Sequence, residues 1–278
     1  MTTVESFSLT PSEGEKIHAQ KWLAEGSKAI VILVHGLGEH IGRYEHVAKF
    51  FNENGISLYG FDHRGHGKST GKRGHIASND QFMTDIDSMI KIAKTENPEK
   101  PLFLYGHSLG GNMVLFYAFK NNPSINGIIC TSPGLGSGEI IPAGKLVAAK
   151  ILKVFLPSLT MNNRLDVSNL SRDQQVITAY KEDPLVHPMI SAKLAMDMFA
   201  NGDWVIQHAE NFPLPLLLLA GSDDHIISLD KINQFAKNVP ENLIKFEILP
   251  NFFHELHNDF EKEKVLSLFV EWISENLS

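Results

Sequence analysis

A chain of 278 residues, 43% apolar and 21% charged, is long enough for one large α/β domain and is ordinary for a soluble globular protein. Its formal net charge of −7 argues against nucleic acid as a partner and against electrostatic adhesion to anionic lipid. The one cysteine, Cys130, excludes an internal disulfide, and its place at the end of the apolar run Ile128-Ile-Cys130 reads as a buried thiol.

The first ten residues have neither a basic start nor a long apolar core, so they do not read as a signal peptide. Residues 4–9 and 17–23 predict two strands joined by a turn at Pro11-Ser-Glu-Gly14. Ala29 to Val34 is a continuous apolar run, as in a strand covered on both faces, and it leads into His35-Gly-Leu-Gly-Glu-His40. A helix is expected from about Tyr44 to Asn54, then a strand from Ile56 to Phe61. The loop Asp62-His-Arg-Gly-His-Gly-Lys-Ser69 follows, and a helix from about Asp80 to Thr95 carries Phe82, Ile86, Met89, Ile90 and Ala93 at helical spacing.

Leu102 to Leu115 is the stretch around which the chain is organised. Four apolar residues predict a buried strand, Gly106-His-Ser-Leu-Gly110 gives G-x-S-x-G, and Gly111 to Phe119 predicts a helix. This is the context of a nucleophile elbow. Passing straight from strand to helix forces Ser108 into a strained backbone and stands its hydroxyl at the strand's carboxyl end. The helix that follows offers unpaired N–H groups to a developing negative charge.

A strand is expected at Ile125 to Thr131, and later ones at Pro215 to Ala220 and Ile244 to Leu249, with a closing helix from Asp259 to Asn276. The alternation implies a mostly parallel sheet with helices on both faces. Between Pro133 and about Gln207 that rhythm lapses. Ile141 to Phe155, Ser171 to Tyr180 and Pro188 to His208 read as helices with no strand between them. The expected organisation is a core of residues 1–133 and 208–278 with a helical cap at 134–207. The cap would control access to the site, and the broad apolar face at Leu146 to Leu156 suggests peripheral contact with lipid. No apolar run reaches transmembrane length, and the expectation is a cytoplasmic protein.

A serine needs a base, and the base needs an orienting acid. In the order Ser–acid–His, the acid belongs in a loop after a late strand. Asp223 and Asp224 both follow Leu216-Leu-Leu-Leu-Ala-Gly221, and the Gly-x-x-Asp spacing favours Asp224. Of the two histidines after the last strand, His254 lies in the loop before the closing helix and is the expected base, with His257 on the alcohol side of the pocket. Leu109 N–H and the Leu37 N–H of the HG-x-G loop are the expected oxyanion donors, His35 bracing that loop. The histidines form no H-E-x-x-H or other zinc spacing, so neither metal nor cofactor is expected.

With these residues in hand, the chain closely resembles the monoacylglycerol lipase branch of the α/β-hydrolase superfamily, which also contains lysophospholipase-like esterases. The resemblance runs nearly end to end. It rests on His35-Gly-Leu-Gly-Glu-His40 with Arg43 and Tyr44, the Asp62–Ser69 loop, Gly106-His-Ser-Leu-Gly-Gly111, Gly221-Ser-Asp-Asp224 and His254-Glu-Leu-His257. In the cap it rests on Leu156-Pro-Ser-Leu159, Leu170-Ser-Arg172 and Tyr180-Lys-Glu-Asp-Pro-Leu185. It supports Asp224 and His254 as partners of Ser108. It implies that Glu39, Arg43, Tyr180 and His257 surround the glycerol hydroxyls, that His107 adjoins the nucleophile, and that cap helices form an acyl tunnel. Asp224-His-Ile-Ile-Ser228 lacks the cysteine of mammalian-type members, and Leu109 stands where Met is commoner. The implied reaction is two-step hydrolysis of a monoacylglycerol. A lysophospholipase, a broad carboxylesterase or a non-catalytic ligand-binding member of the fold is the alternative.

Overall fold

The computed structural model describes residues 3–10 and 15–277, so the expected turn at residues 11–14 lies outside the described residues. In chain order the main elements are β1 (Thr3–Leu9), β2 (Ile17–Leu23), β3 (Ala29–Val34), α1 (Glu45–Glu53), β4 (Ile56–Phe61), α2 (Asn79–Glu96), β5 (Leu102–His107), α3 (Leu109–Asn121) and β6 (Gly127–Thr131). Then come α4 (Ala143–Phe155), β7 (Thr160–Asn162), α5 (Gln174–Glu182), β8 (Met189–Ser191), α6 (Ala192–Gln207), β9 (Leu216–Gly221), α7 (Leu229–Asn238), β10 (Ile244–Leu249) and α8 (Lys262–Glu275).

Eight strands form one sheet in the order β1-β2-β4-β3-β5-β6-β9-β10. The β1–β2 and β2–β4 pairs are antiparallel, and every other pair is parallel. This is the α/β-hydrolase fold. β3, β5, β6 and β9 are buried along their whole length, in keeping with their largely apolar sequences. Phe82 and Ile86 of α2, Leu115 of α3 and Phe235 of α7 pack on one face of the sheet. Val47 and Phe51 of α1 and Val265, Phe269 and Trp272 of α8 cover the other.

The strand-to-helix passage at the centre is tight. Ser108 has φ +54°, and α3 begins at the next residue with most of its circumference buried. A Cβ on Gly110 would lie 1.8 Å from the Val34 carbonyl oxygen, so no larger residue fits where α3 crosses the end of β3.

Residues 132–215 carry the excursion that the sequence marks as a cap, but they are not all helical. Thr160–Asn162 and Met189–Ser191 pair as an antiparallel ribbon, which corrects the reading of Pro188 to His208 as one helix. Strands of three residues are too short for period-2 alternation to register. The ribbon is tied to the core: Ser191 N–H donates to the Gly74 carbonyl (2.8 Å), and a Cβ on Gly74, which has φ +70°, would lie 2.0 Å from the Met189 oxygen. α4, by contrast, has no buried residue and leaves Val147, Ile151, Val154, Phe155 and Leu156 exposed. Among the described residues no helix is long and apolar enough to cross a membrane.

Candidate active site

The geometry at the carboxyl ends of β5, β9 and β10 brings three distant residues together. Ser108 Oγ lies 2.9 Å from His254 Nε2, and His254 Nδ1 lies 2.7 Å from Asp224 Oδ2. An ionised carboxylate only accepts, so Nδ1 carries the proton and Nε2 is left bare to accept the serine hydroxyl. Asp224 is fixed in turn by the N–H groups of Ile226 (2.9 Å) and Ile227 (3.2 Å), which donate to its Oδ1. Asp223, the competing acid, instead accepts from the Ser222 hydroxyl.

Charge and burial oppose each other here. Burial pushes the His254 pKa down, but the Asp224 charge and hydrogen bond outweigh it, and the imidazole ends above its ordinary value. Burial pushes the Asp224 carboxyl up, and the histidine charge and the three hydrogen bonds bring it below the usual carboxylate range. His107, beside the serine, has its ring centroid 4.9 Å from that of His254 and is held near pKa 3 by burial and by that neighbour. It stays neutral, so the proton from serine has one destination.

Ser108 opens into a cleft that is partly open to solvent. Leu37 and Leu109 line it beside the serine, and among the described residues neither N–H has an intramolecular acceptor. Their loop is braced from behind. His35 donates Nδ1–H to the Gly36 carbonyl and accepts the His63 N–H on Nε2, while His63 returns its Nε2–H to the His35 carbonyl. The apolar wall comes largely from the cap, through Leu165, Leu170, Ile190, Met198 and Phe199.

At the other end the walls are polar: Glu39, His107, Tyr180 and Glu255. Glu39 already accepts from three protein donors, the Gly36 N–H (2.6 Å), the Tyr44 hydroxyl (2.8 Å) and Arg43 Nη1 (2.6 Å). His257 is expected on the alcohol side but has 0% exposure. It stands behind His107, stacked on Tyr44 at 4.6 Å with Nδ1 3.2 Å from the Tyr105 hydroxyl. Its Nε2 is buried with no hydrogen-bond partner among the described residues. The room that a ligand would need at that ring is filled by packed aromatic side chains.

One residue at this end has no role in the sequence reading. Glu255, immediately after His254, is buried, lines the cleft and forms a two-pronged ion pair with Arg43 at 2.7 and 2.6 Å. The available signal was a charged residue adjoining the expected base in a loop that must face the site.

The Hydrolase_4 family, described as serine aminopeptidase, S33, matches residues 25–261. The chain belongs to that family. This Hydrolase_4 chain is 32% identical to the monoacylglycerol lipase of Mycolicibacterium smegmatis over 99% of both proteins. It is 38% identical, over its whole length, to an uncharacterized abhydrolase domain-containing protein of Dictyostelium discoideum, but it spans 30% of that protein. A crystal structure of Paleococcus ferrophilus monoacylglycerol lipase superposes with a TM-score of 0.86 and 36% identity, covering 94% of this chain and 99% of that one. Fold and family together make this Hydrolase_4 member a serine hydrolase similar to monoacylglycerol lipases.

Proposed function

We propose that the protein hydrolyses monoacylglycerols to fatty acid and glycerol through an acyl-enzyme. The observation that carries this reading is the Ser108–His254–Asp224 chain, at 2.9 and 2.7 Å, opening on a cleft lined by apolar side chains such as Leu165, Leu170, Ile190, Met198 and Phe199 together with polar ones. Ser108 Oγ attacks the ester carbonyl while His254 Nε2 takes its proton, and Asp224 stabilises the imidazolium. The oxyanion is held by the N–H groups of Leu37 and Leu109 at the start of α3. Collapse breaks the ester C–O bond, and His254 returns the proton to the departing glycerol oxygen. Water, deprotonated by the same imidazole, then attacks the acyl carbon, and the fatty acid leaves as Ser108 regains its proton. Glu39, His107 and Tyr180 face the glycerol, Arg43 and His257 support them from behind, and residues 134–207 act as the lid.

The family description raises peptide hydrolysis as a second reading, which needs carboxylates free to bind an amine. Glu39 and Glu255 are both hydrogen-bonded by Arg43, so neither is left unpaired to receive an amine. Purified protein is expected to turn over 1-monooleoylglycerol faster than lysophosphatidylcholine or an aminoacyl anilide. Faster release of fatty acid and glycerophosphocholine from lysophosphatidylcholine would reassign it as a lysophospholipase, and preference for the anilide would make it a peptidase.

The reading extends to the lipid surface. Val154 is 71% and Phe155 77% exposed on a helix that also carries Lys145 and Lys150, so α4 presents an apolar face with cations interspersed. We expect that face to settle on a bilayer. Burying one such side chain contributes about 1.5–3 kcal/mol, so Val154→Asp with Phe155→Asp should weaken sedimentation with phosphatidylcholine vesicles by at least about 100-fold. Turnover of soluble p-nitrophenyl butyrate should be unchanged. Equal binding of both proteins to vesicles would remove lipid contact from the proposal.

A further inference from the structure

The Arg43 guanidinium meets three separate parts of the molecule. It sits in the short turn Ile41–Tyr44, directly after the loop that carries Leu37, and its side chain is only 10% exposed. Nη1 donates to Glu39 Oε2 (2.6 Å) and to Glu255 Oε1 (2.7 Å), and Nη2 donates to Glu255 Oε2 (2.6 Å). Glu39 passes the constraint on through its other oxygen, which accepts the N–H of Gly36, the residue before Leu37. Glu255 passes it to its chain neighbour His254. The third part is the cap, because the Tyr180 ring of α5 lies over the guanidinium with its centroid 4.7 Å away.

We infer that Arg43 is a positioning residue, holding the oxyanion loop, the loop of the base and cap helix α5 in one register. The inference rests on the ester-hydrolase reading above and concerns how that site is kept assembled. A planar fork suits the task. Glu255 takes two parallel bonds, which fix direction as well as distance, while the same Nη1 reaches Glu39. A lysine ammonium is a point charge and cannot hold both carboxylates in that plane. The cluster also carries one cation against two carboxylates, so ionised it leaves negative charge near His254, where Glu255 and Glu39 both favour the imidazolium.

A residue that only contacted glycerol would behave differently. Its loss would raise KM for glycerol esters and leave esters without glycerol untouched. A positioning residue acts on every ester, mainly through kcat, and slows the covalent step itself. Misplacement of reacting groups by about 1 Å can cost about 100-fold. Arg43→Lys, which keeps the charge, should therefore lower kcat for p-nitrophenyl acetate by about 10- to 100-fold with KM changed by no more than about twofold, and slow fluorophosphonate labelling of Ser108 in proportion.

Glu255→Gln is read in parallel, because it keeps the size of the side chain while removing a charge. It should lower kcat for the same ester and move the acid limb of the rate profile to lower pH, since the charge that raises the His254 pKa is gone. Purely structural damage would not move that limb. Wild-type turnover of p-nitrophenyl acetate by both variants, with KM for monooleoylglycerol raised in Arg43→Lys, would overturn the inference and make Arg43 a glycerol contact. If the unaltered protein neither cleaves p-nitrophenyl acetate nor labels, the reaction assignment itself fails, and the inference with it.

Discussion

Ser108→Ala is expected to lower ester turnover by about 10⁴- to 10⁶-fold and to abolish fluorophosphonate labelling. The size follows from the site having one nucleophile. Among the described residues the serine hydroxyl alone is hydrogen-bonded to His254 Nε2, and the histidine beside it is buried and neutral. What remains in the variant is a cleft with two N–H groups and no atom to form the acyl bond. Stability should change little. The hydroxyl makes no other hydrogen bond among the described residues, and the backbone strain at φ +54° is common to serine and alanine. Intact-mass analysis after fluorophosphonate treatment, alongside p-nitrophenyl butyrate assays and circular dichroism, reads all three quantities. Labelling at the wild-type rate would place the nucleophile elsewhere.

Asp224→Asn should cost about 10⁴-fold in kcat while leaving the fold intact. Its amide oxygen can still accept from Ile226 and Ile227, so the loop keeps its anchors. Its NH₂ group, however, would donate to His254 Nδ1. That forces the other ring nitrogen to carry the proton, and Nε2 can no longer accept from Ser108. The pH dependence changes in a definite direction. In the wild-type protein the Asp224 charge overcomes burial and lifts the imidazole pKa above 6.5, so activity is lost as pH falls through that raised value. Without the carboxylate, burial dominates, the pKa drops, and the acid limb of the residual activity moves to lower pH. A limb that stays in place would mean that another group sets it.

Much of this architecture is legible in one dimension because the sheet is buried on both faces. Ala29–Val34, Leu102–Tyr105 and Leu216–Ala220 show as apolar runs, and each predicted boundary falls within two residues of the observed one. The G-x-S-x-G elbow is equally legible, since the glycines answer to close approaches between backbones. α7 has no counterpart in the sequence reading, although Ser228 caps it and Ile232, Phe235 and Ala236 sit at helical spacing. Its ten residues are mostly polar, and only one narrow stripe reaches the core.

The polar end of the site was harder to read for a different reason. Sequence can nominate Glu39, Arg43 and His257 as charged or titratable residues near a nucleophile. It cannot say whether a carboxylate faces a ligand or a guanidinium, because that depends on contacts such as Arg43 with Glu255, which are 212 positions apart.

The stitching between the excursion and the sheet limits how the protein can be re-engineered. His187 N–H donates to the Gly38 carbonyl (2.9 Å), His187 Nε2 to the Gly65 carbonyl (3.0 Å), and His40 Nε2 meets Asp183 at 2.8 Å. On the opposite flank Glu255 N–H donates to the Leu170 carbonyl (2.8 Å), the Ser171 hydroxyl to the Asn258 carbonyl (2.8 Å), and Arg172 pairs with Asp259. A chimaera that transplants a foreign cap onto this scaffold must therefore bring along, or rebuild, the loops around residues 36–43, 62–75 and 254–259. Exchanging only α4, which has no buried residue and whose one ion pair among the described residues is Lys153 with Asp197 of α6, is the graft that leaves those seams intact.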